Sequence, residues 1–120
     1  MTYAVNLDGL TMFVSSTANN GVVDASTRIA FSQHGSRVLG RYQGGRIRRG
    51  FLVGAVSGKH LTFRYLQVED SGEIHGGRST CAIALMPGGR IRIVERFVWT
   101  TRNGRGTNVF DEFGKEHVDC

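Results

Sequence analysis

The stretch Ile91-Arg92-Ile93-Val94-Glu95-Arg96-Phe97-Val98-Trp99 decides the fold. Side chains of a β-strand alternate faces with a period of two. Ile91, Ile93, Glu95, Phe97 and Trp99 therefore share one face, and Arg92, Val94, Arg96 and Val98 share the other. The first row is apolar and aromatic except for Glu95. A carboxylate on such a face is costly unless it is paired, hydrogen-bonded or protonated. Glu95 is thus the leading functional candidate, expected to be more than half buried and within reach of a tyrosine, arginine or glutamine.

Working outward, turn signals recur at Asp8-Gly9, Asn19-Asn20-Gly21, His34-Gly35, Gly44-Gly45, Ser57-Gly58, Asp70-Ser71-Gly72, Pro87-Gly88-Gly89 and Asn103-Gly104. Alternating β-branched and aromatic residues fill the intervals, and no window holds a helical period. The pattern predicts strands near 3–7, 10–17, 26–33, 37–43, 46–56, 60–69, 73–86, 90–101 and 106–113. The segment 73–86 is long for one regular strand, so Gly76-Gly77 is expected to mark a bulge or bend. Gly50 and Gly54 fall on one face, where they let the sheet bend or a neighbour approach. Ten residues of strand span about 33 Å. Long strands in a small chain must twist and coil, and closure removes their edges. The expectation is all-β, an antiparallel up-and-down meander forming a small closed or nearly closed β-barrel without substantial helix.

The chain has 120 residues, enough for one core, with 17 glycines and one proline. One domain is expected over 1–120, with its core near 3–113 and a tail at 114–120. No apolar run approaches a membrane span, and Met1 to Leu10 lacks the features of a signal peptide. Cys81 and Cys120 are the only cysteines, which points to a reducing cytoplasm. The net charge is +5, carried almost wholly by arginine; Lys59 and Lys115 are the only lysines. Because the arginines alternate along strands and form no block, a solvated outer wall is favoured over nucleic acid as their explanation.

Three stretches carry a family resemblance. They are Gly40-Arg41-Tyr42-Gln43-Gly44-Gly45-Arg46-Ile47-Arg48-Arg49-Gly50-Phe51-Leu52-Val53-Gly54, Leu61-Thr62-Phe63-Arg64-Tyr65-Leu66-Gln67, and Gly88 to Glu95 followed by Trp99-Thr100. In this order and spacing the chain resembles a family of small bacterial proteins often labelled N-acetylglutamate synthase. The similarity spans roughly 28–113 and implies an all-β domain of calycin or avidin type, with no set of catalytic residues to carry over. Acetyl transfer of the usual kind binds the coenzyme A pyrophosphate at a helix start behind a glycine-rich loop. Here the glycine clusters sit between strands, so that activity is not expected.

The site candidates lie on strands. Leu61, Phe63, Tyr65 and Gln67 share a row, which would place a hydroxyl and an amide inside the barrel. Tyr42 lies in a row with Val38, Gly40 and Gly44. If Ile47, Arg49, Phe51, Val53 and Ala55 face inward, Arg49 is the cation best placed to balance Glu95. His75, Ser79 and Cys81 share a parity, but four residues of strand separate the histidine from the serine by about 13 Å. Asp111, Glu112 and Glu116 read as a solvated acidic tail. His34, His60, His75 and His117 show no ligand spacing, so no metal site is expected.

The favoured expectation is a pocket for a mainly apolar small molecule, lined by Tyr42, Arg49, Phe63, Gln67, Phe97 and Trp99, without a cofactor. The alternative is a cofactor-independent isomerase or cyclase, with Glu95 as acid or base and Tyr65 or Arg49 stabilising charge on oxygen. Equally, Glu95 could be an ion-pair partner or a structural hydrogen-bonding group. A third reading is an anionic-polymer module using Arg41, Arg46, Arg48, Arg64, Arg90, Arg92 and Arg96. No membrane partner is expected, and a homodimer stays open.

Overall fold

Eight antiparallel strands follow one another in a computed structural model that describes residues 5–17 and 22–113. They are β1 (Thr11–Ser16), β2 (Arg28–His34), β3 (Arg37–Gly44), β4 (Ile47–Ser57), β5 (His60–Glu69), β6 (Ile74–Leu85), β7 (Ile91–Trp99) and β8 (Arg105–Glu112). Each pairs with its neighbour in the chain, and β8 returns to β1, so the sheet is a closed barrel. This is the expected up-and-down meander, with no helix among the described residues.

Three hairpins use the same tight turn. The pairs His34↔Arg37, Gly44↔Ile47 and Ser57↔His60 each enclose two residues. The first enclosed residue is Gly35, Gly45 or Gly58, with φ of 61°, 64° and 59°. A glycine at that position suits a II′ turn, whose twist matches that of the flanking strands.

Three expectations are corrected. First, Val5 to Leu7 is not a strand; residues 3 and 4, and the Asn19-Asn20-Gly21 turn, lie outside the described residues. The segment instead folds across the barrel end: Gly9 N–H donates to the Phe31 carbonyl, and the fully buried Leu7 enters the core. Leu7, Met12, Val38, Leu61 and Ile93 are all inaccessible and pack that end. Second, β6 runs twelve residues without a register shift against either neighbour, so Gly76-Gly77 forms no bulge. The coiling of a closed barrel accommodates its length. Third, Glu112 is buried and accepts a hydrogen bond from Ile91 N–H at 3.0 Å, while Asp111 pairs with Arg92 at 2.7 Å. Neither belongs to a solvated tail, and Glu116 lies outside the described residues.

The observed irregularities sit elsewhere. β1 shifts register between Val14 and Ser16. On β4, Ile47 pairs with Glu69 but Arg49 with Val68, an extra residue on the β4 side. A bulge of this kind sets two consecutive side chains on one face. Arg48 and Arg49 both face out, and Ile47, Gly50 and Leu52 are buried.

Candidate functional site

Two rows across the sheet build the upper interior. Tyr42 pairs with Gly50, and Gly50 with Gln67. A Cβ on Gly50 would collide with the Tyr42 ring, so the missing side chain lets the ring lie across β4. Tyr42 Oη then donates to Gln67 Oε1 at 2.8 Å, and Gln67 Nε2 donates to Glu69 Oε2 at 2.9 Å. Arg102 Nη2 donates to the same Glu69 oxygen, and its guanidinium lies 4.3 Å from the Trp99 ring centroid. The second row joins Tyr65, Gly77 and Trp99. A Cβ on Gly77 would stand 2.5 Å from Tyr65 Oη, so the phenol lies over this glycine as Tyr42 lies over Gly50. The Tyr65 and Trp99 rings meet edge to face with centroids 5.5 Å apart.

Glu95 stands directly opposite Asn108 and is 5% exposed. Its Oε1 accepts from Asn108 Nδ2 at 2.8 Å, and its Oε2 accepts from Ser79 Oγ at 2.5 Å. Thr17 Oγ1 donates to Asn108 Oδ1 at 2.6 Å, which fixes the amide from behind. The expected tyrosine, arginine or glutamine partner is thus replaced by a serine and an asparagine. Burial pushes the Glu95 pKa up, against the opposing pull of the two hydrogen bonds. Burial also raises Tyr65, with Glu95 adding to the rise and Arg102 opposing it. Tyr42 is raised by burial first and by Glu95 second.

These groups meet in one cavity of about 40 Å³. Its polar members are Tyr42, Tyr65, Gln67, Glu95 and Asn108; Leu52, Phe63, Phe97, Trp99 and Phe110 supply apolar wall. Ile29 on β2, with Val22 and Val23 from the β1–β2 connection, completes the lining. Tyr42, Phe63, Tyr65, Gln67, Glu95, Phe97 and Trp99 therefore come together, as their strand parities suggest. Arg49 does not: it is exposed on the outer wall, because the β4 bulge reverses the alternation on which its inward placement rested. The cation near the site is instead Arg102, from the β7–β8 connection. Loop residues have no parity to read, so no strand pattern identifies it. Asn108 was also missed, although it alternates with Gly106 and Phe110 on β8.

His75 contacts Trp99, Glu73 and Thr101. With no bulge in β6, it stays four strand residues, about 13 Å, from Ser79, so the two form no nucleophile–base pair. Burial pushes the Cys81 thiol up, which disfavours the thiolate needed for attack. The ligand atoms of Glu69, Glu73 and His75 lie within 4.8 Å of one another, a grouping made by the β5–β6 turn and absent from the histidine spacing. Arg102 already holds Glu69, and His75 holds Glu73 at 2.8 Å, so the polar needs of the group are largely met within the chain. Arg41, Arg46, Arg48, Arg64, Arg90 and Arg96 are exposed, while Arg92 is partly covered by its pair with Asp111.

A closed barrel with an interior cavity is an architecture suited to holding a small molecule. No curated protein and no solved structure matches this chain. Residues 5–113 do match the family described as Avidin-like protein, a span that includes every strand of the barrel, and the chain belongs to that family.

Proposed function

We infer that the protein binds a compact, mainly apolar small molecule inside the barrel. The observation that carries this reading is Glu95, a buried carboxylate whose hydrogen-bond partners, Ser79 and Asn108, are both neutral. It faces a cavity whose walls are otherwise mainly apolar. Buried carboxylates are usually paired with a cation. A few polar groups converging on an apolar hollow is the common form of a ligand site. The cavity's 40 Å³ corresponds to about three water positions. The occupant is therefore small, or it displaces Val22 and Val23. Native mass spectrometry of freshly purified protein, with thermal melts against a panel of compact apolar compounds, tests the reading. A single-occupancy mass adduct and a raised melting temperature are expected. Failure of every compound in both assays would overturn it.

Glu95 also supports a second reading, because its raised pKa and its place in the same cavity as Tyr65 suit proton transfer. Here the barrel is a cofactor-independent isomerase or cyclase. Glu95 moves the proton, and Tyr65 donates a hydrogen bond to oxygen as charge develops. Glu95→Gln should then abolish turnover while ligand binding survives; a variant with full turnover would leave binding as the function.

A further inference from the structure

Most polar side chains in the cavity have a partner within the protein: Tyr42, Gln67, Glu95 and Asn108 are all engaged. Tyr65 Oη and Trp99 Nε1 are not; both are buried without a hydrogen-bond partner among the described residues. A buried donor left unpaired costs about 1–3 kcal/mol, so each such group calls for an explanation. Both belong to the Tyr65–Gly77–Trp99 row, and both side chains line the cavity. Trp99 is only 7% exposed. A third unpaired atom, Arg102 Nε, sits in the guanidinium that covers the Trp99 ring and already holds Glu69.

We propose that the cavity selects compact neutral ligands bearing a carbonyl oxygen, and that this oxygen is held by Tyr65 Oη and Trp99 Nε1. The proposal rests on the reading that the barrel interior takes a small molecule. A carbonyl oxygen has two lone pairs and can accept from both donors. A hydrocarbon would leave them unpaired. A carboxylate would satisfy them but would share a small low-dielectric space with Glu95, whose hydrogen-bond partners are neutral. Arg102 is already committed to Glu69 and does not offset that repulsion.

Acetone, acetate and 2-methylpropene share one shape and differ at the decisive atom, so they are the probes. Trp99 is the only tryptophan, and its indole N–H gives a single assignable signal in a nitrogen–proton correlation spectrum. Acetone should move that signal downfield and bind about tenfold more tightly than 2-methylpropene, the range of a neutral hydrogen bond. Acetate should bind no better than 2-methylpropene. Tyr65→Phe should remove most of the acetone preference while leaving 2-methylpropene affinity within about twofold. The indole shift in the unsubstituted protein provides a reading that does not depend on how that variant folds. Equal affinity for acetone and 2-methylpropene would overturn the carbonyl assignment and leave interior binding standing. Tightest binding of acetate would replace the neutral oxygen with an oxyanion. Failure of all three to bind would overturn both the assignment and the reading beneath it.

Discussion

At the scale of the residue, Glu95 ties stability to pH through its burial. Its folded-state pKa is held above the ordinary carboxylate value, chiefly by desolvation. Below that ordinary value the carboxyl is protonated in both states and adds no pH dependence. As pH rises, the unfolded chain ionises first, so the fold loses stability until pH reaches the folded-state pKa. The slope in this window is at most about 1.4 kcal/mol per pH unit. Glu95→Gln imitates the protonated acid: the amide oxygen accepts from Asn108, and the amide nitrogen donates to Ser79 Oγ. The melting temperature of the variant relative to the unsubstituted protein should therefore climb as pH rises from about 4 and then level off. A flat or falling difference in thermal melts would mean that Glu95 ionises at or below its ordinary pKa. The same substitution would then remove a favourable charge instead of an unfavourable one.

At the scale of the element, β4 shows what strand patterning can and cannot reveal. Its glycines were legible as points of close approach, and Gly50 does admit the Tyr42 ring. Gly50→Ala should cost about 1–3 kcal/mol, the usual penalty for overfilling a packed interior, and should loosen the Tyr42–Gln67 hydrogen bond. A denaturant melt with an unchanged midpoint would show that the ring moves aside freely. The inward rows of β3, β5 and β7 follow from period-two alternation because their residues keep that period against their neighbours: Val38, Gly40 and Tyr42 on β3, and Leu61, Phe63 and Gln67 on β5, are buried as a row. The inward row of β4 does not. One extra residue near Arg48 changes parity partway along the strand, and both Arg48 and Arg49 have side chains that suit an outer wall. Nothing in the local composition separates a bulge there from regular alternation, so Arg49 was misassigned and the cation role passed to a loop residue. Arg49→Gln should accordingly change stability by no more than about 0.5 kcal/mol and leave the interior untouched. A larger loss in chemical denaturation would return Arg49 to the interior.

At the scale of the whole molecule, charge is sorted by face. Arginines occupy outward positions on every strand except β1: Arg28, Arg37, Arg41, Arg48, Arg49, Arg64, Arg78, Arg92, Arg96 and Arg105. Among the described strand residues, the carboxylates Glu69, Glu95 and Glu112 face in, and Asp111 alone faces out, where it pairs with Arg92. The net charge of +5 therefore understates the positive potential of the wall. The register sharpens the point, because Arg64 and Arg78 are direct cross-strand partners. Like charges placed opposite each other destabilise a sheet, and exposed charges are screened by salt over about 8–10 Å at physiological strength. Repulsion along the wall should outweigh the outward Arg92–Asp111 ion pair, whose own worth is about 0–1 kcal/mol. Raising sodium chloride from about 0.02 M to about 0.2 M, a range that acts mainly by shortening the screening length, should raise the melting temperature. Arg78→Gln should raise it at low salt and reduce its salt dependence, since it relieves the opposed pair without touching the interior. A melting temperature that falls with added salt would show that attraction, not repulsion, dominates the wall, and the arginines would then have to be engaged by carboxylates in ways that strand register alone does not predict.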